Sequence, residues 1–327
     1  MRLTTPDVSS RALISPLAIA PMIDWTYTHF RMFMRILAPR ALLYTEMQTP
    51  GAIVHNPTRA IDFHPDETPL ALQLGGADAK ALVACARIAE DRGYAEINLN
   101  LGCPSDRVQA GRFGACLMLE PQHVAHCIDA LKNAVRLPVS AKTRLGVDDH
   151  DDYAFFANFI SHLVDASCDK LIIHARKAWL HGLSPKQNRT IPPIQYDYVY
   201  QIKQERPHMP MVINGQIKSV DEMLAHLKHV DGVMVGRMAC DNPYGIAKMH
   251  HALYPHVPLK SRQAYLLEYI DYIEALNNPQ IPRSLLLKPI FGMAYECPGA
   301  RLWKKALMSL PTQAWITPLR HAVLEFL

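Results

Sequence analysis

Leu70-Ala71-Leu72-Gln73-Leu74-Gly75, the intervening residues 77–92, and Glu96-Ile97-Asn98-Leu99-Asn100 decide the fold. The two outer pieces are short apolar runs of strand length, and the piece between them has apolar residues at three- and four-residue spacing, as an amphipathic helix requires. Strand, helix, strand is the unit from which parallel sheets are built.

The same alternation extends in both directions. Strand-like runs at 17–24, 41–47, 138–143, 170–174, 211–214 and 232–236 bring the total to eight, and 121–135, 152–164, 196–205, 220–228 and 243–253 carry the helical pattern. Eight such repeats predict an α/β fold, a (β/α)8 TIM barrel. Residues 49–68 are polar, punctuated by proline and long for a barrel loop, which predicts a structured excursion. Beyond residue 254 the strand signal stops, and 261–277, 283–294, 300–310 and 311–326 read as helices. The chain therefore divides into a barrel over 1–254 and a small all-helical C-terminal domain over 255–327.

With 49% hydrophobic and 20% charged residues, the 327-residue chain has the composition of a soluble globular protein. Its longest apolar runs fall far short of the roughly 18 residues a membrane span needs, and its start lacks a basic-then-apolar signal pattern. These features predict a cytoplasmic protein with no membrane partner, expected to be monomeric. Seven scattered cysteines without a CxxC pair signal neither a disulfide framework nor a zinc site, so no metal is expected. A net charge of +4 does not by itself imply a nucleic-acid partner. Its distribution says more: residues 170–189 hold Lys170, Arg176, Lys177, Lys186 and Arg189 without an acid, and 283–320 hold six basic residues against Glu296 alone. Both are candidate phosphate-facing surfaces.

Barrel active sites lie at the C-terminal ends of the strands. Those ends read Pro21-Met22-Ile23-Asp24, Glu46, Gln73, Asn98 to Cys103, Lys142 to Arg144, His174, Asn214-Gly215 and Gly236-Arg237. The last two pairs end strands seven and eight, where barrels bind phosphate on backbone amides, and His174 adds a donor. Neither GxGxxG nor GxxxxGK[ST] occurs, so a phosphate-bearing cofactor inside the barrel is favoured over a dinucleotide fold or a P-loop. Lys142 suits a ligand that becomes anionic, Schiff-base chemistry, or a plain ion pair. Gln73 offers a donor and an acceptor in one plane for the edge of a heterocycle. Cys103 sits in a Gly-Pro turn after strand four, followed by the Gly-rich, mobile-looking stretch Gly111-Arg112-Phe113-Gly114. A thiol there serves as a nucleophile if a basic histidine is near, or as a general acid.

Taken together, these residues resemble the tRNA-dihydrouridine synthases over essentially the whole chain. The likeness is carried by Pro21-Met22, Gly102-Cys103-Pro104-Ser105, Ala141-Lys142-Thr143-Arg144-Leu145-Gly146, Val235-Gly236-Arg237 and Pro298-Gly299-Ala300-Arg301. Asp24-Trp25-Thr26, Leu43-Tyr44-Thr45-Glu46-Met47, Arg112-Phe113-Gly114-Ala115-Cys116-Leu117-Met118 and His174-Ala175-Arg176-Lys177-Ala178-Trp179-Leu180 resemble the A-type members, which act at positions 20 and 20a of the tRNA D-loop. The resemblance implies FMN against Pro21, Met22 and Ile23, with Gln73 and Lys142 at its ring system and His174, Asn214, Gly215, Gln216, Gly236 and Arg237 toward its phosphate. It makes Cys103 the general acid. It also implies contacts to tRNA from Asn100, Lys186, Arg189, Arg301 and Lys304, and NADPH as the reductant. Gln216 departs from the A-type pattern, which has a second glycine there, and Lys288-Pro289 replaces an Arg-His pair.

Overall fold

A computed structural model describes residues 14–327; the first thirteen positions of the segment 1–254 expected to form the barrel lie outside the described residues. Eight strands form, β1 Leu17–Ile19, β2 Leu42–Tyr44, β3 Leu70–Leu74, β4 Glu96–Leu101, β5 Val139–Thr143, β6 Lys170–His174, β7 Met211–Asn214 and β8 Gly232–Val235. All neighbours are parallel, and β8 pairs back onto β1 to close the barrel. Each strand falls where its apolar run predicts it.

The helix Ala79–Asp91 shows how sequence produces the outer layer. Asp78 caps its N-terminus by accepting from the Ala81 amide at 2.7 Å, and Leu82, Cys85, Ala86 and Ala89 form the buried stripe. The helix ends at Arg92-Gly93, where Gly93 takes a left-handed φ of 81°. Residues 49–68 form the expected excursion, two short helices and a 3-10 turn. The excursion is anchored by Glu67, which is buried against Arg31. Arg31 belongs to a further helix, Thr28–Leu37, which buries Phe30, Phe33, Met34 and Leu37.

Inside the barrel, strand alternation points every second side chain at the axis. One part of that interior is apolar, formed by Ala18, Ala20, Leu42, Tyr44, Ala71, Ile172, Val212 and Met234. The other, on β3 to β6, is polar, with Gln73, Glu96, Asn98, Ser140 and Lys170 all at 1% exposure or less.

Of the C-terminal helices, Arg262–Leu276 and Arg283–Leu287 pack on the Thr28–Leu37 helix of the barrel, Ile316–Phe326 packs on Arg262–Leu276, and Ala300–Ser309 packs on Ile316–Phe326. Phe33 meets Tyr269 at a ring separation of 4.8 Å, and Tyr27 donates to the Leu285 carbonyl at 2.9 Å. Among the described residues, no helix is long and apolar enough to cross a membrane.

Candidate active site at the barrel mouth

The site begins with β4. Its inward residues Glu96, Asn98 and Asn100 climb the barrel axis, and the strand then breaks at Gly102-Cys103-Pro104. Asn100 Oδ1 accepts from the amides of Gly102 at 3.2 Å and Cys103 at 3.0 Å, which fixes the turn. From the other side the Ala115 amide donates to the Cys103 carbonyl at 2.9 Å. Gly114 makes that approach possible: a Cβ there would lie 2.5 Å from the Cys103 carbonyl oxygen, and its φ is 78°. The Gly-rich stretch is thus packed against the Cys103 turn, with Phe113 buried. The Cys103 thiol is partly accessible and lies 3.5 Å from Ser105 Oγ.

Facing this turn, β5 to β8 present a basic arc. Lys142 Nζ donates to Asn214 Oδ1 at 3.1 Å. Burial first, then Arg144, push the Lys142 ammonium down to about 7, with Cys103 pulling the other way. Burial, with Arg144 and Lys142 beside it, holds the His174 imidazole well below its usual range, so it is neutral at pH 7. Arg189 and Arg237 lie at the open rim, where Arg237 donates to the Arg189 carbonyl at 3.3 Å. Among the described residues, Lys142, Arg144, Arg176, Arg189 and Arg237 form no ion pair with a carboxylate. For the buried Arg144 and Arg176 and the half-buried Lys142, charge without an acid is a costly arrangement unless an anion offsets it.

The turns after β7 and β8 fit a phosphate. Gly215 has a φ of 133°, a backbone conformation that favours glycine, and its carbonyl accepts from Tyr196 Oη at 2.7 Å. Gln216 has a φ of 53°, the left-handed conformation a second glycine would adopt, and its side chain accepts from Arg176 at 2.6 Å. Arg176 Nε is buried with no partner, an orphaned donor beside that turn. Gly236 leaves room: a Cβ there would make only ordinary contact, 3.7 Å from Ala20 and 3.8 Å from Met22. Pro21 and Met22 are half-buried, and Ile23 projects outward at 55% exposure.

Two residues to which sequence reasoning assigns no role hold the loops together. Arg144, buried, donates to the carbonyls of Gly102, Lys177 and Asn188 at 3.1, 3.1 and 2.9 Å, tying the Cys103 turn to the loop after β6. Asn188, fully buried, bonds both ways with the Trp179 backbone. An asparagine in a polar loop is the only sequence signal for that staple. It leaves Lys186 and Arg189 exposed on the turn around it.

Some expected placements change. Asn100 is 9% exposed, and its carboxamide is engaged inside the protein beneath the mouth. Lys170 is not surface charge either: it lies inside the barrel, paired with Glu96. Lys177 pairs with Asp151 at 2.7 Å and Arg320 with Asp271 at 2.5 Å. Lys288 reaches back to the Asp24 carbonyl at 2.7 Å and lies 4.4 Å over the Trp25 ring, joining the C-terminal helices to the β1 turn. Arg301 and Lys304 are exposed, three residues apart on one helix. The seven cysteines are free, and among the described residues no group of three or more His, Cys, Asp or Glu residues could hold a metal ion.

Fold and site define a (β/α)8-barrel protein with a thiol turn beside a group of cations that, among the described residues, form no ion pair. The family model described as dihydrouridine synthase matches residues 18–321, and the chain belongs to that family. It is 48% identical over 299 residues to the tRNA-dihydrouridine(20/20a) synthase of Shewanella oneidensis, covering 91% of this chain and 89% of that one. It is 49% identical to the protein of the same name from Xanthomonas campestris pv. campestris, covering 93% and 91%. The Shigella flexneri protein of that name is 46% identical, covering 94% and 91%. Among solved structures, a 2-naphthoyl-CoA reductase bound to 2-naphthoyl-CoA aligns with a TM-score of 0.52 at 8% identity, over 70% of this chain and 49% of that one. At that identity the likeness concerns the fold alone.

Proposed function

We propose that this protein reduces the C5=C6 bond of uridine in the D-loop of tRNA, at positions 20 and 20a, using bound FMN and NADPH. The observation that carries this reading is the Cys103 thiol, clamped by Asn100 and Gly114 on one side of the mouth and facing the uncompensated cations of β5 to β8. The relatives' shared name supports the substrate.

The donor set suits FMN. Gly215, Gly236, Arg237 and the orphaned Arg176 Nε provide for its phosphate, and Gln73, Lys142 and the Pro21-Met22-Ile23 turn provide for its rings. A reduced flavin held by these residues would supply the hydride that C6 of the uracil accepts. The resulting negative charge on the uracil C4 carbonyl is quenched when Cys103 gives its Sγ proton to C5. Lys142, half-buried and bonded to a neutral amide, would stabilise anionic charge at the ring system. His174, held neutral, donates a hydrogen bond without adding a charge. The uridine must leave its stack to reach this depth. Lys186 and Arg189 at the rim, with Arg301 and Lys304 on the helical segment 255–327, would hold the phosphate backbone while it does so.

Mapping dihydrouridine in tRNA incubated with the flavin-loaded protein and NADPH tests the reading. Modification at positions 20 and 20a is expected; a flavin-loaded protein that consumes NADPH but leaves every tRNA uridine intact would refute it.

A further inference from the structure

The polar side of the barrel interior is one continuous chain of hydrogen bonds with a fixed direction. At the mouth, the Cys103 and Gly102 amides are donors only, so Asn100 Oδ1 must accept and Asn100 Nδ2 must donate. Asn100 Nδ2 donates to Gln73 Oε1 at 2.9 Å, and Gln73 Nε2 in turn donates to Asn98 Oδ1 at 2.7 Å. Asn98 Nδ2 donates to Ser140 Oγ at 2.7 Å, and the Ser140 hydroxyl donates to Glu96 Oε1. At the floor, Lys170 and the Tyr44 hydroxyl also donate to the Glu96 carboxylate, which as an ion can only accept. Both ends of the chain are chemically unambiguous and agree. Three amides, each free in isolation to turn either way, are thereby assigned one orientation.

We propose that Glu96 is a remote positioning residue: its buried carboxylate sets the donor direction of the amide chain, and so keeps the Asn100 carbonyl turned toward the Cys103 turn. Glu96 touches neither Cys103 nor the mouth. It acts through Ser140, Asn98, Gln73 and Asn100, and the same chain holds Gln73 with its Nε2 toward the floor and Oε1 toward Asn100. Flipping any one amide sets two donors or two acceptors face to face in a dry interior, so the chain can only hold or reverse as a unit. Reversal would face Asn100 Nδ2 against the Cys103 amide and release the turn. Proton delivery by Cys103 rests on the function proposed above; the orientation of the turn does not.

Backbone amide exchange on the ligand-free protein separates the two. In Glu96→Gln, the new amide turns its oxygen to Lys170 and its NH2 to Ser140 and Tyr44; the Ser140 hydroxyl, its carboxylate acceptor gone and the Ile97 carbonyl distant at 3.5 Å, turns its proton to Asn98 Oδ1, and the chain reverses. The Cys103 amide is expected to exchange about two- to tenfold faster relative to the Leu171 amide, the range expected for losing one hydrogen bond. Leu171, bonded to the Pro210 carbonyl, reports overall stability. Ser140→Ala cuts the chain while keeping the Glu96–Lys170 pair, and should accelerate Cys103 alone. In the double variant Glu96→Gln/Ser140→Ala, Cys103 should exchange no faster than in the faster single variant. Cys103 exchange that tracks Leu171 in the single variants, or two effects that simply multiply in the double, would overturn the proposal. If Glu96→Gln does not fold, Ser140→Ala alone decides, and an unchanged Cys103 amide refutes it. Loss of uridine reduction plays no part in this readout, so failure of the functional reading leaves the test intact.

Discussion

The barrel contains two inward lysines with opposite surroundings. Lys170, where β6 begins at the floor, is 1% exposed, paired with Glu96 and within 5.9 Å of the Tyr44 ring centroid. Lys142, near the mouth end of β5, has a neutral amide as its hydrogen-bond partner and other cations around it. The first charge is answered within the chain, so it fixes the interior. The second is unanswered, so the fold carries it at a cost that a bound anion would relieve. Floor and mouth therefore differ in what they serve: removing a floor charge should cost stability, and altering the mouth should cost chemistry.

The largest expected effect is at the mouth. Cys103→Ala should lower uridine reduction by about 10²–10⁴-fold while flavin content and melting temperature stay near the parent's. Single-turnover assays on flavin-loaded protein with tRNA check it, and full activity would remove the thiol from the mechanism. At the floor, Lys170→Met should cost about 3–5 kcal/mol of unfolding free energy, since it strands the Glu96 carboxylate in a dry interior. Denaturant titration reads this directly; an unchanged midpoint would erase the contrast between the two lysines.

Lys142→Met sharpens the comparison through pH. The Lys142 ammonium titrates near 7 in the folded chain and near its ordinary 10.5 when unfolded, so between these values the unfolded chain binds more protons and stability rises with pH. The penalty is fully present below pH 7 and fades as pH rises toward 10.5. Removing the ammonium should thus raise the melting temperature of the ligand-free protein more at pH 6 than at pH 10, while weakening flavin binding or slowing flavin reduction by NADPH. Equal melting shifts at both pH values would show that Lys142 carries no buried charge. The smallest effect belongs to the rim: Lys186→Ala with Arg189→Ala should weaken tRNA binding and flatten its log-log salt dependence by up to about 0.7–0.9 for each phosphate that the protein ceases to neutralise. NADPH oxidation without tRNA should be unaffected, and a parental salt slope would move the RNA surface to Arg301 and Lys304.

Much of this is legible in the sequence. Strand and helix periods differ, 2 against 3.6, so runs such as 70–75 and 96–100 declare themselves, and barrel geometry then assigns strand ends to the mouth. Cys103, Gln73, Lys142, His174, Asn214, Gly215, Gly236 and Arg237 are all at or near strand ends for that reason. The acid-free stretch 170–189 misled, because ion pairs ignore sequence distance. Lys170 finds Glu96 on β4 and Lys177 finds Asp151 after β5, and neither acid lies in the stretch that made both lysines look exposed.

What the sequence alone determined, then, is the barrel, its order of strands and the residues at its mouth, because each depends on local periodicity and on chain order. Only the tertiary structure decided which charges are answered and which remain open. It also decided which way the amides of Gln73, Asn98 and Asn100 face. Both depend on groups brought within hydrogen-bond reach from four different strands, where burial makes an unmatched donor or charge expensive, and no one-dimensional pattern records that proximity.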